Sequence, residues 1–142
     1  MSTIVRDYTI PANDFTIAGE ASSSVRKILS QLGVSPDVVK RTSIAMYEAE
    51  INAVIHGNGG MAHVEIDKNK IYIRISDEGP GIADLNLAMQ EGYSTAPDSI
   101  REMGFGAGMG LSNIKKNADV LDIETEINKG TIVNITVFFK RE

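Results

Sequence analysis

Apolar residues recur at helical spacing in two stretches of the first half of the chain. The first, from Glu20 to Leu32, has three serines near its start and is followed by Gly33, a residue typical of helix ends. The second begins at Ser35-Pro36-Asp37, which supplies a capping serine, a proline at the first helical position and an acid in the first turn. We expect it to run to about His56 and, because alanines thin out its surface, to be packed on several sides as a central helix. Its predicted apolar stripe is Ile44, Tyr47, Ile51, Val54 and Ile55.

Short segments rich in β-branched residues predict five strands around these helices. Pro11 ends the first of them and favours an edge position, because proline cannot donate to a ladder. Lys68-Asn69 and Asn128-Lys129-Gly130 predict two hairpin turns. The predicted strands are Thr3–Ile10, Ala62–Asp67, Lys70–Ser76, Val120–Ile127 and Thr131–Lys140, with shorter helices over 83–90 and from Gly110 to Asn117. This order predicts an α/β two-layer sandwich, a single sheet covered by helices on one face.

Glu91 to Met109 is glycine-rich and polar, with little periodicity. A stretch of this length is unusual for a passive connector and more typical of a functional loop. We therefore predict a flexible lid over residues 91–109.

Composition narrows the class of protein. The chain has 142 residues, the size of one domain, so residues 1–142 are expected to form a single unit. A net charge of −5 without a basic cluster argues against nucleic-acid binding. The absence of cysteine fits a reducing interior, and the start of the chain has no apolar stretch long enough for a signal or a membrane span. We expect a cytoplasmic protein that does not bind membranes.

Three polar residues, Glu48, Asn52 and His56, are spaced by four on the central helix. They therefore project from one stripe beside the apolar face. A solvated helix edge explains most such patterns, so the triplet alone does not decide between surface and site. A core or capping histidine is more common than a catalytic one, and His56 is assigned no chemistry.

Asp77-Glu78-Gly79-Pro80-Gly81-Ile82 directly follows a predicted strand. The acid then lies at a strand end, and the glycines let the chain bend close to a ligand. A simple turn is the alternative. As a site, the Asp77 carboxylate could accept a hydrogen bond from an exocyclic amine such as that of adenine.

The segment Gly104-Phe105-Gly106-Ala107-Gly108-Met109-Gly110-Leu111 places four glycines at alternate positions just before a predicted helix. Exposed amides and the positive end of the helix dipole can hold phosphate oxygens there. A flexible connector stays open as an alternative. A dinucleotide fingerprint is disfavoured, because the spacing differs and no strand-helix-strand unit precedes it.

The three motifs together, in the order Glu-x-x-x-Asn, Asp-x-Gly-x-Gly and Gly-x-Gly-x-Gly, followed by Gly130-Thr131, resemble the GHKL (Bergerat-fold) ATPase superfamily. Within it, the short chain is similar to the anti-sigma-factor serine/threonine kinases of bacterial stress and sporulation switches, from about residue 10 to 140. The resemblance implies a histidine-kinase-like ATPase fold with a mixed, mostly antiparallel sheet, and ATP with Mg²⁺ as ligands.

The same resemblance implies roles for individual residues. Asn52 would coordinate magnesium, Asp77 would bind the adenine amine with support from Thr131, and Glu48 would take the proton of the acceptor hydroxyl. The rest of the implied nucleotide site is Gly79, Gly81 and Ile82 at the base, and Gly106, Ala107, Gly108, Met109, Gly110 and Leu111 at the phosphates.

The implied partners are a sigma factor, its antagonist protein, or both, and a homodimer is left open. The glycine loop is longer than in the inhibitor-type kinases of the group, which leaves the direction of regulation open. Arg101 and Lys115 lie near that loop in sequence, but a solvated surface cation is the more common state of such residues. The competing functions are a non-catalytic, nucleotide-dependent binding module and a free-standing ATP hydrolase; the chain is too short for a complete sensor histidine kinase.

Overall fold

The computed structural model describes residues 3–12, 18–55, 59–81 and 110–140. The predicted helix over 83–90 and the predicted lid over 91–109 lie outside these ranges. The other predicted helices and strands are confirmed, with ends that move by at most two residues. The elements are β1 (Ile4–Ile10), α1 (Glu20–Gln31), α2 (Pro36–Ile55), β2 (Gly60–Ile66), β3 (Lys70–Asp77), α3 (Gly110–Asn117), β4 (Val120–Glu126) and β5 (Gly130–Phe138).

The strands form one five-stranded sheet in the order β1-β2-β3-β5-β4. All pairings between these described strands are antiparallel. Short turns join β2 to β3 and β4 to β5, whereas α1 and α2 lie between β1 and β2 in the chain. The turn before Lys70 is held by Asp67, whose Oδ1 accepts hydrogen bonds from the backbone N–H groups of Asn69 at 2.7 Å and Lys70 at 2.9 Å.

Alternating side chains of the sheet point towards the helices and form the core. On β3 the buried apolar positions are Ile71, Ile73 and Ile75, and on β5 they are Val133, Ile135 and Val137. Burying one such side chain stabilises the fold by about 1.5–3 kcal/mol. The helices cover this face, as the two-layer prediction requires. No helix within the described ranges is long and apolar enough to cross a membrane.

Helix α2 is central, as predicted, and contacts α1, α3 and the sheet. The predicted apolar stripe of α2 is partly wrong. Tyr47 is 37% exposed, and Ile44 and Ile55 are only half-buried, whereas Glu50 is 1% exposed. The buried faces of α2 combine small alanines with larger apolar residues, and they extend beyond the predicted stripe. The buried positions of α2 are Val38, Val39, Thr42, Ala45, Met46, Ala49, Glu50, Ile51, Ala53 and Val54.

Glu50 is buried because its carboxylate caps α1. Its Oε2 accepts hydrogen bonds from the backbone N–H groups of Gly19 at 2.9 Å and Ala21 at 3.2 Å, and its Oε1 accepts one from Ser22 at 3.0 Å. The N-cap, Gly19, makes no side-chain cap of its own and has a φ of 96°. A carboxylate is favourable here because the first amides of a helix lack partners and carry positive partial charge.

The other end of α1 stops at Gly33, as the sequence predicts. Gly33 has a φ of 77°, and its N–H donates to the Ser30 carbonyl at 3.1 Å while the N–H of Val34 donates to the Leu29 carbonyl at 3.1 Å. This pair of bonds is the Schellman motif, in which glycine adopts the left-handed conformation without a Cβ penalty.

Candidate functional site

The end of β3 brings together three of the predicted site residues. Asp77 is the last residue of β3 and pairs with Thr131 of β5. The Oδ1 atom of Asp77 accepts hydrogen bonds from the backbone N–H groups of Gly79 at 2.9 Å and Thr131 at 3.3 Å. By strand alternation Asp77 shares its face with Ile75, so its carboxylate lies on the helix side of the sheet.

Thr131 is in turn held by a residue that the motifs do not include. Its Oγ1 lies 3.0 Å from Oγ1 of Thr125 on β4, which also donates to the Gly130 carbonyl at 3.3 Å. Thr131 is 8% exposed. The two hydroxyls and the Asp77 carboxylate form a row of polar groups across the end of three strands.

Gly81 and Gly130 are required by a close approach of two backbone segments. Both have positive φ, 80° and 116°. A Cβ at Gly81 would overlap the Glu126 carbonyl, and one at Gly130 would overlap the Asp77 carbonyl. The N–H of Asn128 also donates to the Pro80 carbonyl at 2.8 Å. Residues 77–81 and the β4–β5 turn therefore form one rigid platform at the sheet end.

The C-terminal end of α2 lies at this same end of the molecule. The N–H of Gly59 donates to the Ala53 carbonyl at 2.9 Å, and the next residue, Gly60, begins β2 directly opposite Asp77. Asn52 precedes Ala53 and is half-buried. The fold thus brings Asn52 and Asp77 to one end of the sheet although they are 25 positions apart in sequence.

Two contacts fix α3 against α2. Nδ2 of Asn113 donates to Oε1 of Glu48 at 3.5 Å, and Nη1 of Arg41 donates to the Asn117 carbonyl at 3.1 Å. The contacting residue numbers rise along α2 as they fall along α3, so the two helices run in opposite directions past each other.

This direction places the first turn of α3 beside Asn52. From the Glu48–Asn113 contact, Asn52 is about 6 Å further along α2 and Gly110 about 4.5 Å back along α3, at a rise of about 1.5 Å per residue. The start of α3 carries N–H groups without helical partners and the positive end of the helix dipole. An anion held there would lie close to the amide of Asn52.

Only the last two residues of the glycine motif, Gly110 and Leu111, are described, and they form the start of α3. Leu111 is 6% exposed and belongs to the hydrophobic core. Any contact of Leu111 with a bound phosphate would therefore come from its backbone amide. Lys115, one turn later, is exposed.

Two glutamates of α2, Glu48 and Glu50, place negative charge next to Tyr47. Burial raises the pKa of the Tyr47 hydroxyl above its usual value, and the charges of Glu48 and then Glu50 raise it further. The phenol therefore stays neutral at physiological pH. A cation bound near Glu48 and Asn52 would be favoured by the same charges.

A cleft of about 830 Å³ opens at the sheet end and takes in Asp77, Thr125 and Thr131. It also extends to the face without helices, where Met61 and Ile132 line it. Glu48 and Asn52 are not among its described lining residues. The candidate site therefore lies on the sheet face that the helices cover, where hydrogen bonds and helix contacts bring its residues together, and it is not the same as this cleft.

Comparison with protein families decides the assignment. Residues 37–141 match the family described as Histidine kinase-, DNA gyrase B-, and HSP90-like ATPase. The chain belongs to this ATPase family. The match confirms the superfamily resemblance that the motifs indicate, and it implies ATP as the bound nucleotide.

Relatives of this ATPase-family chain include anti-sigma F factors. The protein of that name from Geobacillus stearothermophilus is 32% identical over 127 residues, covering 85% of this chain and 81% of the relative. The anti-sigma F factor of Clostridium kluyveri is 33% identical over 116 residues, covering 78% of each.

A solved structure supports the fold. The RsbU and RsbW domains of a Mycobacterium tuberculosis protein superpose with a TM-score of 0.62 at 14% identity, covering 96% of this chain and 32% of that one. At this identity the likeness shows the fold alone. The predicted α/β Bergerat architecture is confirmed.

A metal in this ATPase-family site would need few protein ligands. The described residues contain no group of three or more His, Cys, Asp or Glu that could hold a metal ion. Mg²⁺ in nucleotide sites is usually bound by one or two side chains, several waters and the phosphates. A single amide oxygen at Asn52, near the start of α3, fits that donor set.

Several predicted site residues lie outside the described residues. They are Ile82, Gly106, Ala107, Gly108 and Met109, together with His56 and Arg101. Two described residues of the site were not predicted, Asn113 and Thr125. Counting the register back from the predicted Asn128-Lys129-Gly130 turn would have paired Thr125 with Thr131; no sequence signal connects Asn113 with Glu48.

Proposed function

We propose that this chain is an Mg²⁺- and ATP-dependent serine/threonine protein kinase that acts as an anti-sigma regulatory factor. The observation that carries the proposal is the position of Glu48. Its half-buried carboxylate lies one turn before Asn52 and faces α3, whose first turn is directed towards the same end of α2. A base, a metal ligand and a phosphate-binding helix end would then meet at one place.

Adenine would bind at the sheet end. Asp77 would accept a hydrogen bond from the exocyclic amine, and Thr131 would support that contact, because its backbone N–H already orients the carboxylate. Gly79, Gly81 and Ile82 would line the base. The platform formed with the β4–β5 turn supports this role, since a rigid carboxylate discriminates between donors and acceptors better than a mobile one.

The triphosphate would extend from there towards α3. Backbone amides of residues 106–111 would hold phosphate oxygens at the start of the helix, and Asn52 would coordinate Mg²⁺ through its side-chain oxygen. The metal would neutralise charge on the phosphates when bound.

Glu48 would act on the protein substrate. As the acceptor hydroxyl oxygen attacks the γ-phosphorus, Glu48 takes the hydroxyl proton, the new P–O bond forms, and the bond to the β-phosphate oxygen breaks to release ADP. Phosphoryl transfer depends mainly on positioning and charge neutralisation, so a carboxylate that only orients and deprotonates the nucleophile is sufficient. The partial exposure of Glu48 leaves room for a partner's side chain.

The protein substrate would belong to a transcription switch. The relatives are named anti-sigma F factors, which supports a sigma factor, or an antagonist protein that competes with it, as the partner. Phosphorylation would target a serine or threonine of the antagonist, and stoichiometric binding would engage either partner.

Transfer of labelled phosphate from ATP to candidate partner proteins tests the proposal. We expect Glu48→Gln to lower the transfer rate by about 10²–10⁴-fold, the usual contribution of a general base, while ATP binding is retained. Glu65→Gln, on the exposed face of β2, is the matched control and should keep the wild-type rate. Wild-type activity in the Glu48 variant would exclude it as the base. ATP-dependent partner binding without any transfer would instead favour a non-catalytic binding module.

A further inference from the structure

Asn113 lies on α3 and contacts the proposed base, Glu48. No side chain of α3 has a role in the proposed function. Its Nδ2 donates to Oε1 of Glu48 at 3.5 Å, and both side chains are half-buried. The amide is a neutral donor. A lysine or arginine in its place would pair with the carboxylate and compete for the lone pairs that the substrate proton needs.

The position of Asn113 is fixed by the packing of α3. Its neighbour Ile114 is 0% exposed, and Leu111 is 6% exposed. The Asn113 carbonyl accepts a hydrogen bond from Nδ2 of Asn117 at 2.8 Å, and the Asn117 carbonyl accepts one from Arg41 at 3.1 Å. The side-chain amide of Asn113 therefore lies on a helix that is held in place on both sides of this residue, by the buried Leu111 before it and by the Arg41–Asn117 hydrogen bond after it.

We propose that Asn113 is a positioning residue for Glu48. It binds Oε1 and leaves Oε2 directed to the acceptor hydroxyl. This inference rests on the proposed kinase function, because it assigns Asn113 a task in that reaction. It also connects the base to the phosphate end of the site, since Asn113 lies one turn after Gly110, where α3 begins.

The length of the contact makes it sensitive to the placement of α3. A separation of 3.5 Å is longer than the usual N–H···O distance of about 2.7–3.2 Å. A small approach of α3 towards α2 strengthens the bond, and a small retreat breaks it. The orientation of the base thus depends on where the first turn of α3 lies.

Kinetics of the full chain test this role with four variants. Asn113→Leu removes the donor, Asn113→Asp places a second carboxylate against Glu48, and Asn113→Gln retains an amide. We expect the first two to lower kcat about tenfold or more, as loss of one positioning contact does, with KM for ATP unchanged within about twofold, and the glutamine to restore part of kcat. Lys116→Gln, at an exposed position of the same helix, is the control and should keep kcat.

A readout that needs no activity is the side-chain amide signal of Asn113 in ¹H–¹⁵N spectra. A carboxylate accepts a stronger hydrogen bond than a neutral amide, so Glu48→Gln should move this signal upfield. An unmoved signal, or an unchanged kcat in Asn113→Leu, overturns the inference. If the wild type transfers no phosphate, the proposed function fails separately, and the amide signal alone decides whether Asn113 holds Glu48.

Discussion

His63 lies on the sheet face that the helices do not cover, between two carboxylates on β1 and β2. Its Nδ1 is 2.7 Å from Oδ1 of Asp7, and its Nε2 is 2.8 Å from Oε2 of Glu65. The hydrogen bond to Asp7 and then that to Glu65 raise the pKa of His63 above its usual 6.5, and the small burial of the ring opposes them only in part. The pair with Asp7 joins the edge strand β1 to the rest of the sheet.

The sign of the resulting pH dependence follows from linkage. A histidine whose pKa is raised in the folded state stabilises the protein fully when the pH is below its unfolded-state pKa of about 6.5. This stabilisation is lost as the pH rises through the folded-state pKa. We expect His63→Gln to lower the free energy of unfolding by about 0.2–1 kcal/mol at pH 5.5 and by less at pH 9. Urea denaturation at the two pH values measures the difference. Asp7→Asn should weaken the same pH dependence. An equal loss of stability at both pH values in the His63→Gln variant would contradict the prediction.

Single residues of the site were predictable to different degrees. Asp77 and Thr131 lie in local motifs, whereas the register that pairs them joins β3 to β5, two strands that no predicted hairpin connects. Asn113 could not be found in this way, because its contact with Glu48 joins positions 65 residues apart and depends on the packing of α2 against α3. No local pattern encodes such a contact.

Among the helices and strands, α1 is unusual in how the backbone N–H groups at its start find hydrogen-bond acceptors. Three of its first N–H groups are bonded by Glu50, a side chain of α2. The bonds are charge-assisted and buried, which makes each of them stronger than an exposed neutral bond. The attachment also fixes the rotation of α2, on which Glu48 and Asn52 lie close by.

Replacing Glu50 should therefore destabilise the whole fold. We expect Glu50→Gln to lower the free energy of unfolding by about 1–3 kcal/mol, because the buried amides lose a charged acceptor, and Glu50→Ala to lower it further. Equilibrium urea denaturation measures both. Glu20→Gln, an exposed acid in the first turn of α1, is the control and should stay within about 0.5 kcal/mol of wild type. A glutamine variant as stable as wild type would show that the charge is not needed.

The elements themselves were well predicted, because their signals are local. Gly33 and Ser35-Pro36-Asp37 mark helix ends by backbone chemistry that needs no distant partner. The apolar stripe of α2 was less well predicted, since Tyr47 remains partly exposed while Glu50 is buried. Periodicity assumes that apolar side chains face the core, and here a buried helix start selects a carboxylate instead.

At the scale of the whole molecule, the nucleotide would connect three separate parts of the chain: α2, the sheet end and α3. A ligand that binds only the folded state stabilises it in proportion to the logarithm of its concentration. The two-layer arrangement was predictable from element order. The packing of α3 against α2 was not predicted, because composition and periodicity do not specify which helices touch.

Mg²⁺-ATP at 100 times its Kd should add about 2.7 kcal/mol to the free energy of unfolding. For a chain of this size that corresponds to a rise in melting temperature of about 5–10 °C. We expect Asp77→Asn to reduce the rise, measured against the same variant without nucleotide, and Asp122→Asn, on the open face of β4, to retain it. GTP should give a smaller rise than ATP. No rise with wild-type protein would refute nucleotide binding.

The capping of α1 by Glu50 also has a consequence for synthesis on the ribosome. The amides at the start of this helix obtain their acceptor from a residue 28 to 31 positions later in the chain. A nascent segment that ends before residue 50 lacks that carboxylate, so the first turn of α1 stays open to water until most of α2 has emerged. The start of the first helix is thus completed only once the segment that contains Glu50 has been made.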